Sequence, residues 1–143
     1  EVNKVLKFEV ATNLLLGEVE TDIPALLDHH PTDDVLYVSR FMDNFALNSI
    51  FAANSQTMQP FNGPNITNGI INLLPSLTVP HALAVSRNGK YIYTSSLSED
   101  FFVVINPQTA TVAPNGYSEE FKVVKGRWEG GGGSLSCRTG AGA

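Results

Sequence analysis

Histidine, acidic and cysteine side chains are the residues through which this chain could do chemistry. His29 and His30 are adjacent imidazoles, a residue type that binds metals in its neutral form. Consecutive strand residues point to opposite faces, so the two could share one ion only in irregular backbone, and polar residues beside a turn are the simpler reading. His81, directly after Pro80, is the better candidate for a single metal ligand. Asp33-Asp34 and Glu99-Asp100 have the composition of calcium or acid–base pairs. Both fall in predicted turns, where short acidic side chains satisfy local backbone N–H groups. Cys137 is the only cysteine, which rules out an internal disulfide and a cysteine metal cluster and leaves an inert or intermolecular thiol. Gly130–Gly133 is followed by no Gly-Lys-Ser/Thr and does not form a phosphate loop. Arg127 and Trp128 have the chemistry of binding anchors. Asn65-Ile66-Thr67 is an N-glycosylation acceptor triplet in a Pro-, Asn- and Gly-rich stretch. These residues assemble no catalytic set, and no cofactor motif is present.

Composition narrows the partners. The chain has 143 residues, 43% hydrophobic and 16% charged, which suits one unit with an apolar core. A formal net charge of −5 with nine scattered basic residues argues against nucleic acid. No apolar run approaches the roughly 18–20 residues that span a bilayer. The first residue is Glu and no apolar signal segment follows it, which suggests a chain processed or cut from something larger.

The elements that position these residues are strands. Pro80–Ser96 is a β-hairpin: Leu83 and Val85 alternate in the first arm, Tyr91 and Tyr93 in the second, and Asn88-Gly89 between them predicts a tight type I′ turn. Laid on this stretch without a gap, 24–40 repeats it, with Pro24 on Pro80, Leu27 on Leu83, Tyr37 on Tyr93 and Ser39 on Ser95. Third strands follow at 49–54 and 101–106, and Val5–Thr12 fits the same slot. Fourth strands are expected at 14–19, 70–74 and 120–124. The chain thus reads as a half unit (2–20), two four-stranded units (22–75 and 78–125) and a Gly-rich tail (126–143). Segment 59–69 is an inserted, structureless loop, and helix is nearly excluded by β-branched, Pro, Gly and Asn residues throughout.

Pro80-His81, Val85-Ser86, Asn88-Gly89, Tyr93-Thr94 and Ile105-Asn106-Pro107-Gln108-Thr109 resemble the YVTN-type repeats of β-propellers, and the likeness extends over about 2–124. The resemblance implies an all-β fold of antiparallel four-stranded blades. Because propellers need about 4–8 blades, it also implies an incomplete ring in this chain. It places His81 at the start of an innermost strand facing the central channel, although the other copy has Ala25 there. The copper propellers of the nitrous-oxide-reductase kind carry a His-His-Pro run leading into the inner strand, whereas His29-His30-Pro31 leaves it. Two functions are compatible with such repeats. One is a structural or interaction module outside the cytoplasm (extracellular, periplasmic or at the cell surface), whose partners are other protein chains completing the propeller. Its contact surfaces are the loop 59–69 and the Gly-rich tail, anchored by Arg127 and Trp128, and the rim beside Tyr91, Tyr93 or Trp128 could also bind sugar or peptide. The alternative is part of a lactonase-like or copper-dependent oxidoreductase, with His81 contributing to a site that holds copper or calcium.

Overall fold

A computed structural model describes residues 3–41, 48–73, 77–98 and 102–112. These residues contain strands and turns and no helix. β1 (Lys4–Phe8) and β2 (Leu15–Glu20) form a two-stranded sheet. β3 (Pro24–His29), β4 (Val35–Arg40), β5 (Ser49–Asn54), β6 (Gln59–Pro60) and β7 (Ile70–Asn72) form the second. β8 (Pro80–Val85), β9 (Ile92–Ser96), β10 (Phe102–Asn106) and β11 (Thr111–Val112) form the third. All pairings are antiparallel.

The sequence repeat is also a repeat of hydrogen-bond register. Pro24↔Arg40, Leu27↔Val38, Asp28↔Tyr37 and His29↔Leu36 in the second sheet recur as Pro80↔Ser96, Leu83↔Thr94, Ala84↔Tyr93 and Val85↔Ile92 in the third, including the irregularity after the proline. The residue before each proline has a positive φ, 38° at Ile23 and 46° at Val79. Such angles cost a β-branched residue roughly 1–2 kcal/mol. In both copies its carbonyl accepts a hydrogen bond from the chain leaving the second strand, Phe41 N–H on Ile23 and Leu97 N–H on Val79. The turn after each third strand likewise ends in a left-handed residue: Asn13, Met58 and Ala110. Neither Met nor Ala favours that conformation. At Met58 it is held by the N–H bond to Asn54 O, while Asn54 Oδ1 takes the N–H groups of Gln56 and Thr57.

The second sheet is the middle layer. Its alternate residues face opposite neighbours, as pleating requires. Val35, Tyr37, Ile50 and Ala52 pack with Ile92, Val103 and Ile105 of the third sheet. Leu36, Val38, Phe51 and Ala53 pack with Val5 and Val19 of the first. Ile50, Ile71, Ile92 and Ile105 are fully buried, each contributing about 1.5–3 kcal/mol relative to exposure.

Two local expectations are corrected. Of Asn88 and Gly89 only Gly89 has a positive φ, 71°, so the turn is not type I′. Gly89 N–H bonds Ser86 O, and Asn88 Oδ1 accepts from the Ser86 hydroxyl and Lys90 N–H, which gives a longer, side-chain-braced connection. The insertion is not structureless. Gln59–Pro60 and Ile70–Asn72 pair successively with β5, so 61–69 is an excursion within a split fourth strand. It is closed by reciprocal Gly63–Ile66 hydrogen bonds and anchored by Ile66, which is 3% exposed. It returns through Gly69, whose φ is +77° and where a Cβ would overlap the carbonyl oxygen of Ala52 and the ring of Phe51. In the last unit the strand pairing with β10 is Thr111–Val112. The expected strand 120–124, Glu99-Asp100, Arg127, Trp128, Cys137 and the tail 126–143 lie outside the described residues.

Candidate functional site

Chemistry-bearing side chains gather at the two ends of the sheets. At the end where β3 and β8 begin, His81 is half-buried and its ring stands edge-to-face on Phe41 of the preceding sheet, with centroids 5.4 Å apart. The Ser39 hydroxyl, fully buried on β4, donates to His81 O on β8 at 2.6 Å and accepts from Leu26 N–H on β3 at 3.1 Å, bridging those two strands. Asn48 stabilises the same end: its Oδ1 accepts from Val79 N–H and its carbonyl from Leu73 N–H.

On the other face of β4 at this end lies Arg40, 5% exposed. Its guanidinium donates to Asp22 Oδ2 and, at 2.8 Å, to Ser49 Oγ. Arg40 Nε and the hydroxyl of buried Thr21 have no hydrogen-bond partner. Sequence reading missed this ion pair. The available signal was that Arg40 falls on Ser96 and Asp22 on Thr78 in the repeat alignment, so the pair belongs to one copy alone.

At the opposite end the two histidines are structural. His29 Nε2 is 2.9 Å from Ser55 Oγ and its Nδ1 is 2.5 Å from His30 O. His30 is not a solvated turn residue but is 7% exposed. Its Nδ1 accepts from Asp33 N–H at 2.9 Å, which leaves the Nε2 proton to bond Gly89 O in the next sheet at 3.1 Å. Asp28 spans the same gap, accepting Val85 N–H at 2.8 Å. Asp34 Oδ1 accepts from Gln56 Nε2, which accounts for part of the Asp33-Asp34 pair as turn bracing. Among the described residues no three His, Cys, Asp or Glu side chains group as a metal site.

Tyr93 on β9 and the neighbouring Tyr91 stand at the repeat positions of Tyr37 and Val35, which the third sheet buries. Burial pushes the Tyr37 phenol up to about 12, with Asp33 adding to the effect. Tyr93 is raised in the same direction, by burial and then by Tyr91. Asn65 is exposed on the 61–69 excursion, with its Nδ2 3.3 Å from Gln108 O.

No protein-family model matches the chain, and no curated protein matches it. Among solved structures it resembles a Bacteroides uniformis protein assigned as a 6-phosphogluconolactonase, with a TM-score of 0.52 at 19% identity over 78% of this chain. That neighbour is propeller-like. The sheets are propeller blades. This chain spans 32% of the neighbour's length. The second and third sheets are antiparallel four-stranded blades, the fourth strand of the second being split into β6 and β7, and β1–β2 is a two-stranded sheet beside them. Strand-mediated membrane contact aside, no helix among the described residues is long and apolar enough to cross a bilayer.

Proposed function

We propose that this chain is a segment of a larger, extracytoplasmic propeller of the YVTN type, serving as a structural or interaction module completed by other protein chains or by further blades. One comparison supports this above all. Leu83 on β8 packs against the core between the second and third sheets, whereas Leu27, at the same repeat position on β3, is 55% exposed. The neighbour that would cover Leu27 is the inner hairpin of the half blade, and β1–β2 has none. Leu6 and Phe8 on β1 are exposed too, although Phe51 and Ala53 at the matching positions of β5 are buried. Cross-linking the particle that carries this chain in its native source tests the reading. Lys4, on β1, should link to residues beyond 1–143 or to a second copy. Links confined to one copy of the chain count against it.

A second reading, part of a lactonase-like or copper-dependent propeller enzyme, is favoured by the assignment of the Bacteroides uniformis protein and by His81, which lies at the same sheet end as the Arg40–Asp22 pair. In it His81 supplies one group to a central site built mostly by other blades. Elemental analysis of the purified assembly separates the two: copper or calcium lost in His81→Ala supports the enzyme, and no metal in either protein supports the module.

A further inference from the structure

We propose that Asn65 carries an N-linked oligosaccharide, an inference that rests on the extracytoplasmic part of the reading above but not on how the ring is completed. Asn65-Ile66-Thr67 is the sole Asn-x-Ser/Thr triplet in the 143 residues. The fold presents it in a form that suits the modification. Gly63 and Ile66 close a two-residue turn over Pro64-Asn65, Ile66 plugs the core, and the two side chains the chemistry requires, Asn65 and Thr67, are both exposed on either side of that anchor. A bulky, solubilising sugar can sit only on surface that stays in water. The excursion interrupts the fourth, outermost strand of its blade, three strands away from β3. New blades add to sheet faces and a channel forms along inner strands, so closing a ring does not by itself cover this outer edge.

The side chain also tolerates the reaction. Among the described residues its side chain meets Gln108 O through Nδ2 at 3.3 Å, which is long for a hydrogen bond. Transfer from a lipid-pyrophosphate-linked oligosaccharide forms a bond from Asn65 Nδ2 to the sugar C1. The C1–oxygen bond to the pyrophosphate breaks, the lipid pyrophosphate departs, and one amide proton is released. The remaining Nδ2–H can still meet Gln108 O.

The test is expression of the whole chain behind a secretion leader in eukaryotic cells, with occupancy of the Asn65 peptide measured by mass spectrometry on total cellular protein, so that poor secretion does not hide it. The expected result is a glycan on Asn65, removed by peptide-N-glycosidase with conversion of Asn65 to aspartate. It should be absent in Thr67→Ala and in Asn65→Gln and retained in Thr67→Ser. The thermal midpoint should be the same before and after enzymatic removal. An unmodified Asn65 in the wild-type chain overturns the proposal, as does a midpoint that rises when the sugar is removed. Neither outcome bears on whether the half blade is completed by other strands.

Discussion

His30 of the second blade hands its Nε2 proton to the carbonyl of Gly89 in the third, 3.1 Å away, while Asp33 N–H fixes the other ring nitrogen. The imidazole lies so close beneath the turn that a Cβ on Gly89 would overlap Nε2, and φ at Gly89 is +71°. A turn glycine of one blade is therefore dictated by a buried histidine of another.

Gly89→Ala should destabilise the chain by about 2–4 kcal/mol, combining left-handed backbone cost with overpacking. Its effect should be much reduced in a His30→Ala background, because the two residues share one contact. Denaturant midpoints of the two single variants and the double variant check this. Strict additivity would show that the ring is not what makes glycine necessary.

Ile66→Ala should cost about 2–5 kcal/mol, the range for truncating a buried isoleucine, because Ile66 joins the core shared by the second and third blades. A loss within 0.5 kcal/mol, the range for surface substitutions, would restore 61–69 to a solvated loop.

The Tyr37 phenol gives a pH dependence of defined sign. Its folded-state value is raised from 10.0 to about 12, so the folded chain holds this proton more tightly than the unfolded chain does. The resulting stability, on the order of 2 kcal/mol, is fully present below pH 10 and is lost as pH rises towards 12. Unfolding free energies compared across that window should fall more steeply in the wild type than in Tyr37→Phe. Parallel curves would contradict the assigned burial effect.

At the Arg40–Asp22 pair the arginine is buried and the aspartate is 57% exposed. Removing the exposed partner strands a buried charge, whereas replacing the buried one with an apolar side chain of similar length strands no charge and takes one donor from the Ser49 hydroxyl. Asp22→Asn should therefore cost more than Arg40→Met, by about 1–3 kcal/mol. Chemical denaturation of both variants decides it, and the reverse order would mean that the Arg40–Ser49 bond dominates.

Much of this fold was legible in the sequence because inner hairpins repeat without a gap. Pro24 on Pro80 and Leu27 on Leu83 set the strand register as well as the strand positions. The split fourth strand was not legible, since Ile66 is anchored by residues distant in sequence and the Gly- and Asn-rich excursion has the composition of a free loop. The left-handed Met58 and Ala110 were equally hidden, because hydrogen bonding in the third-strand turn overrides their own preference. At the candidate site, His81 was visible from its place after Pro80. The Arg40–Asp22 pair was obscured because Arg40 ends the strand run Val35–Arg40 and its partner lies 18 residues earlier, and the role of His30 depends on a glycine 59 residues away.

The central claim is that the described sheets are an open stack of blades that must be completed. Light scattering on the purified chain, at concentrations where circular dichroism shows it folded, tests this most directly. The exposed Leu27, Leu6 and Phe8 predict a particle heavier than the 15.4 kDa chain, with the excess reduced in a Leu6→Lys, Leu27→Glu double variant. A stable, cooperatively folded monomer of 15.4 kDa would contradict it.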